Sequence, residues 1–448
     1  MKTHVLSLAL LLFSCCTDAA AAQTRVVTVD LNEAVATLTG PWRFHVGDNT
    51  RWAQAALDDS DWESMDLSAP AGATDGDVGL PNYAAGWSAK GHPGYYGYAW
   101  YRIRLSIRMP TGDSLGLLGP WEVDSAYQIY ANGRLLGGVG DFSGATPTAH
   151  GYHYPRFFAL PPATRGPLLI AIRVWMGPWE MDDPGSGGIH IAPAIGERDA
   201  IAAQYHLQWL KIFAGYVVDA IPALLFFLAA ILVLCLQAFD RGGRTYPWMA
   251  AALTLSGIQR GNQPFFFWLE IETVREFTIF IMVIATSLSM GAWMMAWRAW
   301  FGVTRPAWAP AAVAALTFLL FAAGLLGQPW LFNATFPRWA STGIDDFTTA
   351  VRLSFLLIFL LIAYQGVRRG RHEGWYAVPA VLAIGAVLFS RELAAAHVPG
   401  IWFPWGVGLS LSECASVAFT LLFFVLLARR LRSYATRLQP RRASTAAA

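Results

Sequence analysis

The chain has 448 residues, of which 55% are hydrophobic and only 14% charged, with a mean hydropathy of +0.39 and a formal net charge of +2. That length exceeds one ordinary domain, the hydropathy excludes a purely soluble protein, and the near-neutral charge gives no case for nucleic acid. Charge, Gly, Pro and aromatics mix before about residue 200, whereas long apolar runs dominate after it.

The N-terminus reads as a signal peptide over 1–22. Lys2 and His4 precede the apolar run Val5 to Phe13, and Ala19 to Ala22 are small enough for cleavage. Cys15 and Cys16 suggest a lipoprotein, but Phe13 and Ser14 fit a lipobox poorly. The exported segment 23–200 contains no further cysteine, so it must fold on its own core without disulfides.

That segment reads as all-β. Trp42–Val46, Trp100–Ile107, Asp124–Tyr130 and Leu168–Trp175 are strand-like and are separated by Gly-, Pro- and Asp-rich turns. Tyr101 to Ile107 alternates apolar with polar residues, which predicts one buried and one wet face. Asn132-Gly133 supplies the pair that a tight hairpin wants. Two packed antiparallel sheets, a jelly-roll sandwich, absorb this pattern.

The stretch Gly40-Pro41-Trp42-Arg43-Phe44-His45-Val46-Gly47-Asp48, then Asp58-Asp59-Ser60-Asp61-Trp62, resembles the opening of the sugar-binding jelly-roll domain of the β-galactosidase and β-glucuronidase group. Tyr98 to Arg102, the hairpin Val123 to Gly137 and the strand Leu169 to Trp175 match the same group in order, so the resemblance covers about residues 40–176. It implies a galactose-binding-like fold. In those enzymes the catalytic carboxylates sit on a separate barrel, which is the ground for expecting no catalysis and no cofactor here.

Within this region Asp58, Asp59 and Asp61 read as a turn whose carboxylates cap backbone donors while Trp62 enters the core; ligand or calcium binding is the alternative. The aromatics Trp87, Tyr95, Tyr96, Tyr98 and Trp100 either fill a core or stack on sugar. Trp87 and Tyr95, on the Gly-rich approach loop, are the surface candidates.

A short linker, 201–208, leads to a bundle over 209–430. Its apolar segments lie near 209–238, 246–269, 277–300, 307–326, 347–367, 375–396 and 406–428, which predicts seven transmembrane helices. The second and sixth are weakened by Gln259, Arg260, Asn262, Arg391 and Glu392. Arg241, Arg244, Arg298, Arg305, Arg368, Arg369 and Arg371 flank alternate loops, and a basic tail, 431–448, follows. The positive-inside rule therefore places the tail in the cytoplasm and the sandwich outside, in a bacterial inner membrane. Asp219, Arg260, Arg352, Arg391, Glu392 and Glu413 fall inside the spans, where charge must pair or face water. Similar depth points to a single network of Asp219, Arg260, Arg352 and Glu413, with Arg352 the partner of Glu413. Arg391 and Glu392 are expected to snorkel outward.

A sandwich feeding seven helices resembles the bacterial seven-transmembrane receptors with diverse intracellular signalling modules. The resemblance implies a sensor for an extracytoplasmic ligand, with a carbohydrate expected. No kinase, phosphatase or cyclase-type domain follows Ala428, so output would pass to a separate cytoplasmic signalling protein. A transporter using the intramembrane charges and a membrane-anchored adhesion module are the alternatives.

Overall fold

The computed structural model describes residues 26–445 apart from 32–33, 76–78, 109–113, 151–153, 161–166, 179–183, 240–244, 329–335, 399 and 403–407. The segment 1–22 read as a signal peptide, with Cys15 and Cys16, and the arginines Arg241 and Arg244 lie outside the described residues.

The N-terminal part is a two-sheet β structure. Its strands are β1 (Val26–Asp30), β2 (Val35–Thr37), β3 (Trp42–Val46), β4 (Glu63–Met65), β5 (Gly97–Arg108), β6 (Leu115–Leu118), β7 (Ala126–Ala131), β8 (Arg134–Val139), β9 (Phe157–Ala159), β10 (Leu168–Met176) and β11 (Ala194–Glu197). One sheet runs β4-β3-β5-β10-β7-β8, with β1 added in parallel along β5; the other runs β2-β11-β6-β9. The β7–β8 hairpin turns at Asn132 (φ 48°) and Gly133 (φ 85°), and this pair of positive φ values is why Asn-Gly stands there. The Asn132 side chain also accepts a hydrogen bond from the Leu169 amide at 2.8 Å, tying the turn to β10.

Alternation along β5 sends Ala99, Tyr101, Ile103 and Leu105 into the core between the sheets, where they meet Trp42, Phe44, Leu117, Ile129 and Ile172. The opposite face departs from the expected wet surface. Trp100 and Arg102 are both 0% exposed, because the segment between β3 and β4 folds back over that face. Trp52, Leu57 and Trp62 cover Trp100 there and form a second, smaller core.

Residues 201–208 are not a linker. Helix α1 (Arg198–Phe239) starts directly after β11, and its first turns pack Ile201 and Tyr205 on Leu118, Ala194 and Phe157. The chain continues through α2 (Thr245–Leu269), α3 (Val274–Thr278), a π-helical segment (Ile279–Ala285), α4 (Thr286–Trp300), α5 (Ala309–Leu326), α6 (Arg338–Leu388), α7 (Ser390–Ala395), the short pair β12 (Ile401–Trp402) and β13 (Leu409–Ser410), and α8 (Leu411–Thr445). Helix α6 doubles back on itself. A Cβ built on Gly374 would lie 2.7 Å from the Gly366 carbonyl oxygen, and Arg352 donates to the Leu388 carbonyl at 3.0 Å.

Among the described residues five helices are long and apolar enough to cross a membrane: Arg198–Ala238, Val274–Trp300, Ala309–Leu326, Trp339–Arg369 and Leu411–Ser433. Seven were expected. The two that fall short are α2, which carries Gln259, Arg260 and Asn262, and the second arm of α6, a shorter apolar helix over Gly374–Leu388. The helices share a core in which Phe226, Trp293, Trp297, Phe355, Phe419 and Phe423 are 0% exposed.

The sheets and helices meet in an apolar junction built from Leu80, Trp121, Ala126, Trp175 and Ile191 on one side and Ile212, Tyr216, Phe266, Phe267 and Val274 on the other. Three polar ties reinforce it: Val274 N–H to the Ala149 carbonyl at 2.9 Å, Tyr154 O–H to the Phe266 carbonyl, and an Arg156–Glu270 ion pair. Arg369, Arg429 and Arg430 gather at the opposite end of the helices. Arg430 lies over the Trp300 and Tyr246 rings at 4.7 and 5.0 Å, Arg429 over Tyr376 at 3.7 Å, and Arg369 reaches the Gly302 carbonyl at 3.3 Å.

Close to the junction His190, 1% exposed, sits between two acceptors. Its Nδ1 is 2.9 Å from the Ala84 carbonyl and its Nε2 2.9 Å from the Asp124 carboxylate. Two acceptors require two N–H donors, so the ring is an imidazolium. Burial opposes that charge, but Asp124, Glu122 and the Ala84 carbonyl outweigh it and push the pKa up to about 9. Because the folded value lies above the unfolded one, the stabilisation is complete below about pH 6.5 and is lost as pH rises through about 9, by roughly 3 kcal/mol at most. Thermal melts of the detergent-solubilised chain should show this loss, and His190→Gln should be less stable at pH 6 and lack it. Parallel pH profiles for the two proteins would contradict the assignment.

Candidate functional site

The predicted site residues divide into those that build the sandwich and those that reach its surface. Trp87 is 0% exposed; it packs on Phe44 with ring centroids 6.1 Å apart, and its Nε1 donates to the Tyr95 carbonyl at 3.1 Å. Tyr95 is half-buried, and its hydroxyl accepts from Gly47 N–H at 3.1 Å and donates to the Tyr98 carbonyl at 2.5 Å. Trp87 is therefore core and Tyr95 a brace, correcting the expectation that they present the ligand surface. Trp100 is covered as described, stacked on Tyr130 at 5.5 Å. Tyr96, 42% exposed, and the partly exposed Tyr98 are the two that reach outward.

The aspartates do not converge. Asp58 is exposed and closes a local turn by accepting from Ser60 N–H at 3.0 Å; the Ser60 hydroxyl and amide hold its carboxyl below the usual range. Asp61 is exposed. Asp59, 3% exposed, accepts from Arg102 Nε at 2.8 Å and from Arg104 at 2.6 and 2.7 Å. The two guanidiniums also bind the carbonyls of Gln54 and Leu57 at 3.0 and 2.8 Å, so this cluster clamps the covering segment onto β5. Among the described residues no group of three or more His, Cys, Asp or Glu side chains is placed to hold a metal ion.

A polar surface beside Tyr98 was not among the expected sites. Arg173 on β10 binds Asp48 through Nε at 2.8 Å and through a second nitrogen at 2.5 Å, and it donates to Gln128 at 3.0 Å. Its guanidinium lies 4.5 Å from the centre of the Tyr98 ring and 5.1 Å from that of Phe142. Tyr130 O–H donates to the same Gln128 oxygen at 3.0 Å. Burial pushes the Tyr98 and Tyr130 phenols up, so both stay neutral donors. The result is a fixed platform of aromatic edges, a carboxylate, an amide and a guanidinium. It is continuous with the junction, since Tyr98 and Phe142 pack against the cluster that contains Phe266 and Val274. The signal in the sequence was the polar residues at alternate positions of Gln128 to Tyr130 and at Arg173 within apolar strands.

The charges that the sequence places within apolar segments form two groups. Arg260 lies 3.2 Å from Asp219 and 3.8 Å from Glu413, joining α2, α1 and α8. Glu413 is also the third residue of a capping box, accepting from Ser410 N–H at 2.8 Å while Ser410 Oγ accepts from Glu413 N–H at 3.2 Å. Arg352 is committed elsewhere, to both oxygens of Glu392, one at 2.8 Å. The expected single network and the Arg352–Glu413 pairing are thus corrected: the fold-back of α6 sets Arg352 beside Glu392, which pairs rather than snorkels. Arg391, next in sequence, is exposed. Between the groups lies a cavity of about 710 Å³, bordered by Arg260, Arg352 and Arg391 and by Gln259, Gln263, Thr286 and Ser289.

No family model and no curated protein sequence matches the chain. Among solved structures it is similar to a Bacteroides uniformis β-glucuronidase, at 22% identity and a TM-score of 0.26 over 36% of this chain and 17% of that one. A glycosyl hydrolase family 2 member from Bacteroides cellulosilyticus follows at 17% identity and 0.25, over 36% of this chain and 20% of that one. A Bifidobacterium dentium β-glucuronidase complexed with coumarin-3-O-glucuronide is similar at 15% identity and 0.24, over 39% and 31%. The chain thus spans under a third of the length of these structures. The expectation that it catalyses nothing is withdrawn, because the solved structures similar to it are glycoside hydrolases.

The charge assignment is checked by a double-mutant cycle on melting of the solubilised chain. Arg352→Gln or Glu392→Gln alone should cost about 3 kcal/mol, and the second change should restore part of the loss. Arg352→Gln combined with Glu413→Gln should be additive; coupling there, with none to Glu392, would reverse the pairing.

Proposed function

We propose that this protein is a membrane-embedded sensor whose β-sandwich binds a polar extracytoplasmic ligand, a glycan first among them. Seven helical crossings, the smaller two included, would carry the response to a separate cytoplasmic signalling partner. The observation that carries the reading is the platform around Tyr98, Arg173, Asp48 and Gln128, because it rests on the same aromatic cluster as the first helices. Flat rings stack on sugar C–H faces, and fixed carboxylate, amide and guanidinium groups suit sugar hydroxyls. The gathering of arginines at the helix ends opposite the sandwich supports an orientation with the sandwich outside and the tail inside.

A ligand can shift the helices only as far as it favours one arrangement of the junction over another. With no linker between β11 and α1, and with Val274 bonded to Ala149, a displacement near Tyr98 has a short packed route to α1 and to the segment leading into α3.

Full-length protein in nanodiscs should bind a subset of a broad glycan array weakly, and Tyr98→Ala should reduce that binding about tenfold, the effect of losing one stacking partner. Silence across the array, or unchanged binding by Tyr98→Ala, would overturn the platform reading.

A further inference from the structure

The 710 Å³ cavity between the helices is not absorbed by a ligand site on the sandwich. It begins close beneath the junction: Gln263 and Thr278 border it, and both stand within a few residues of Phe267 and Val274. Met282, 59% exposed, and the exposed Asp345 also line it, so it opens on the flank of the bundle between the π-helical segment and α6.

The charges in its wall are not all spoken for. Arg260 has Asp219 and Glu413, and Arg352 has Glu392. Among the described residues, however, neither Arg391 nor Asp345 makes a side-chain hydrogen bond or an ion pair, although both line the cavity. Asp345 stands about 10 Å along α6 from Arg352, which touches Leu388 and Glu392 beside Arg391. The cavity wall therefore carries a cation, Arg391, that makes no ion pair among the described residues and whose nearest carboxylate, Glu392, is already held by Arg352, and an anion, Asp345, with no ion pair there. Uncompensated charge at the edge of a hydrocarbon layer is costly unless something pairs with it or water reaches it. The other wall is apolar, with Ile281, Met290 and Leu320 beside Met282. The segment supplying Ile281 and Met282 is π-helical, a backbone form often found at functional sites.

We propose that this cavity admits, from the side, a zwitterionic amphiphile of the phosphatidylethanolamine kind. The phosphate takes the forked donors of Arg391, the ammonium takes Asp345, and the acyl chain lies against Met282 and Leu320. The site lies between the sandwich junction and the helix core, so an occupant there would bear on the same segment that the junction holds.

The test uses full-length protein in detergent, titrated with oleoyl lyso-phosphatidylethanolamine, oleoyl lyso-phosphatidylglycerol and chain-free phosphoethanolamine, and read by native mass spectrometry. The first should bind at one site at least about tenfold tighter than the second, the factor expected for one additional ion pair. Arg391→Gln and Asp345→Asn should each abolish that preference without lowering the melting temperature of the lipid-free protein. If a variant does melt lower, Arg391→Lys and Asp345→Glu retain the charges and should retain the preference. Equal binding of the two lysolipids, or a preference untouched by the variants, overturns the proposal. Chain-free phosphoethanolamine competing as well as the lipid overturns the lipid as occupant in favour of a soluble zwitterion.

Discussion

The sheet ends and the first long helix begins at adjacent residues, Glu197 and Arg198. With no residues to spare between them, the helix must leave the sandwich at a fixed angle, and the two parts must satisfy each other's apolar surface at once. They do so through Ile201 and Tyr205 on β6, β9 and β11, and then through Ile212, Tyr216, Phe266 and Phe267 on Trp121, Trp175 and Ile191. Tyr216 and Phe267 stack at 4.0 Å, and Phe266 and Phe277 at 4.3 Å, so the top of the helices is an aromatic plate on which the sandwich is seated. Large rings in fixed contact lose little freedom on packing and bury much area, which is why such a joint resists bending.

Everything placed near the joint inherits that rigidity. The imidazolium of His190 is held between Ala84 and Asp124, and Asp124 also accepts from Gly187 N–H, so the loops against the plate are cross-tied. The Tyr98 platform is likewise built on Trp175's neighbours, since Tyr98 and Trp175 are register partners on β5 and β10. On the helix side, the segment after Glu270 is tied to the sandwich before it enters the π-helical turn that borders the cavity.

Local signals were legible in the sequence and crossings were not. The strands Trp42–Val46 and Leu168–Trp175 and the Asn132-Gly133 turn could be read because alternation and positive φ are properties of neighbouring residues. The outer face of β5 could not, because what buries Trp100 and Arg102 is a segment about 40 residues earlier that folds back by tertiary packing. Trp87 misled for a similar reason: a Gly-rich loop suggests exposure, yet that ring fills the space beside Phe44. For the charges, distance from a helix end gave depth but not azimuth. Arg352 and Glu413 share a depth, but the fold-back of α6 turns Arg352 toward Glu392, leaving Arg260 to meet Asp219 and Glu413. The boundary at 201–208 failed because polar residues such as Gln204 and His206 look like linker but form the wet side of a helix whose other side is packed.

Sandwich and helices behave as one packed body through the ties at Ala149, Tyr154 and Arg156. Amide hydrogen exchange across residues 270–285 of the full-length chain is the test. Protection there should depend on the sandwich, so Tyr154→Phe combined with Arg156→Gln should speed exchange at Val274 and into the π-helical segment while leaving α8 unchanged. Identical exchange in the two proteins would show that the helices hold that segment by themselves, and the account of a coupled joint would fail.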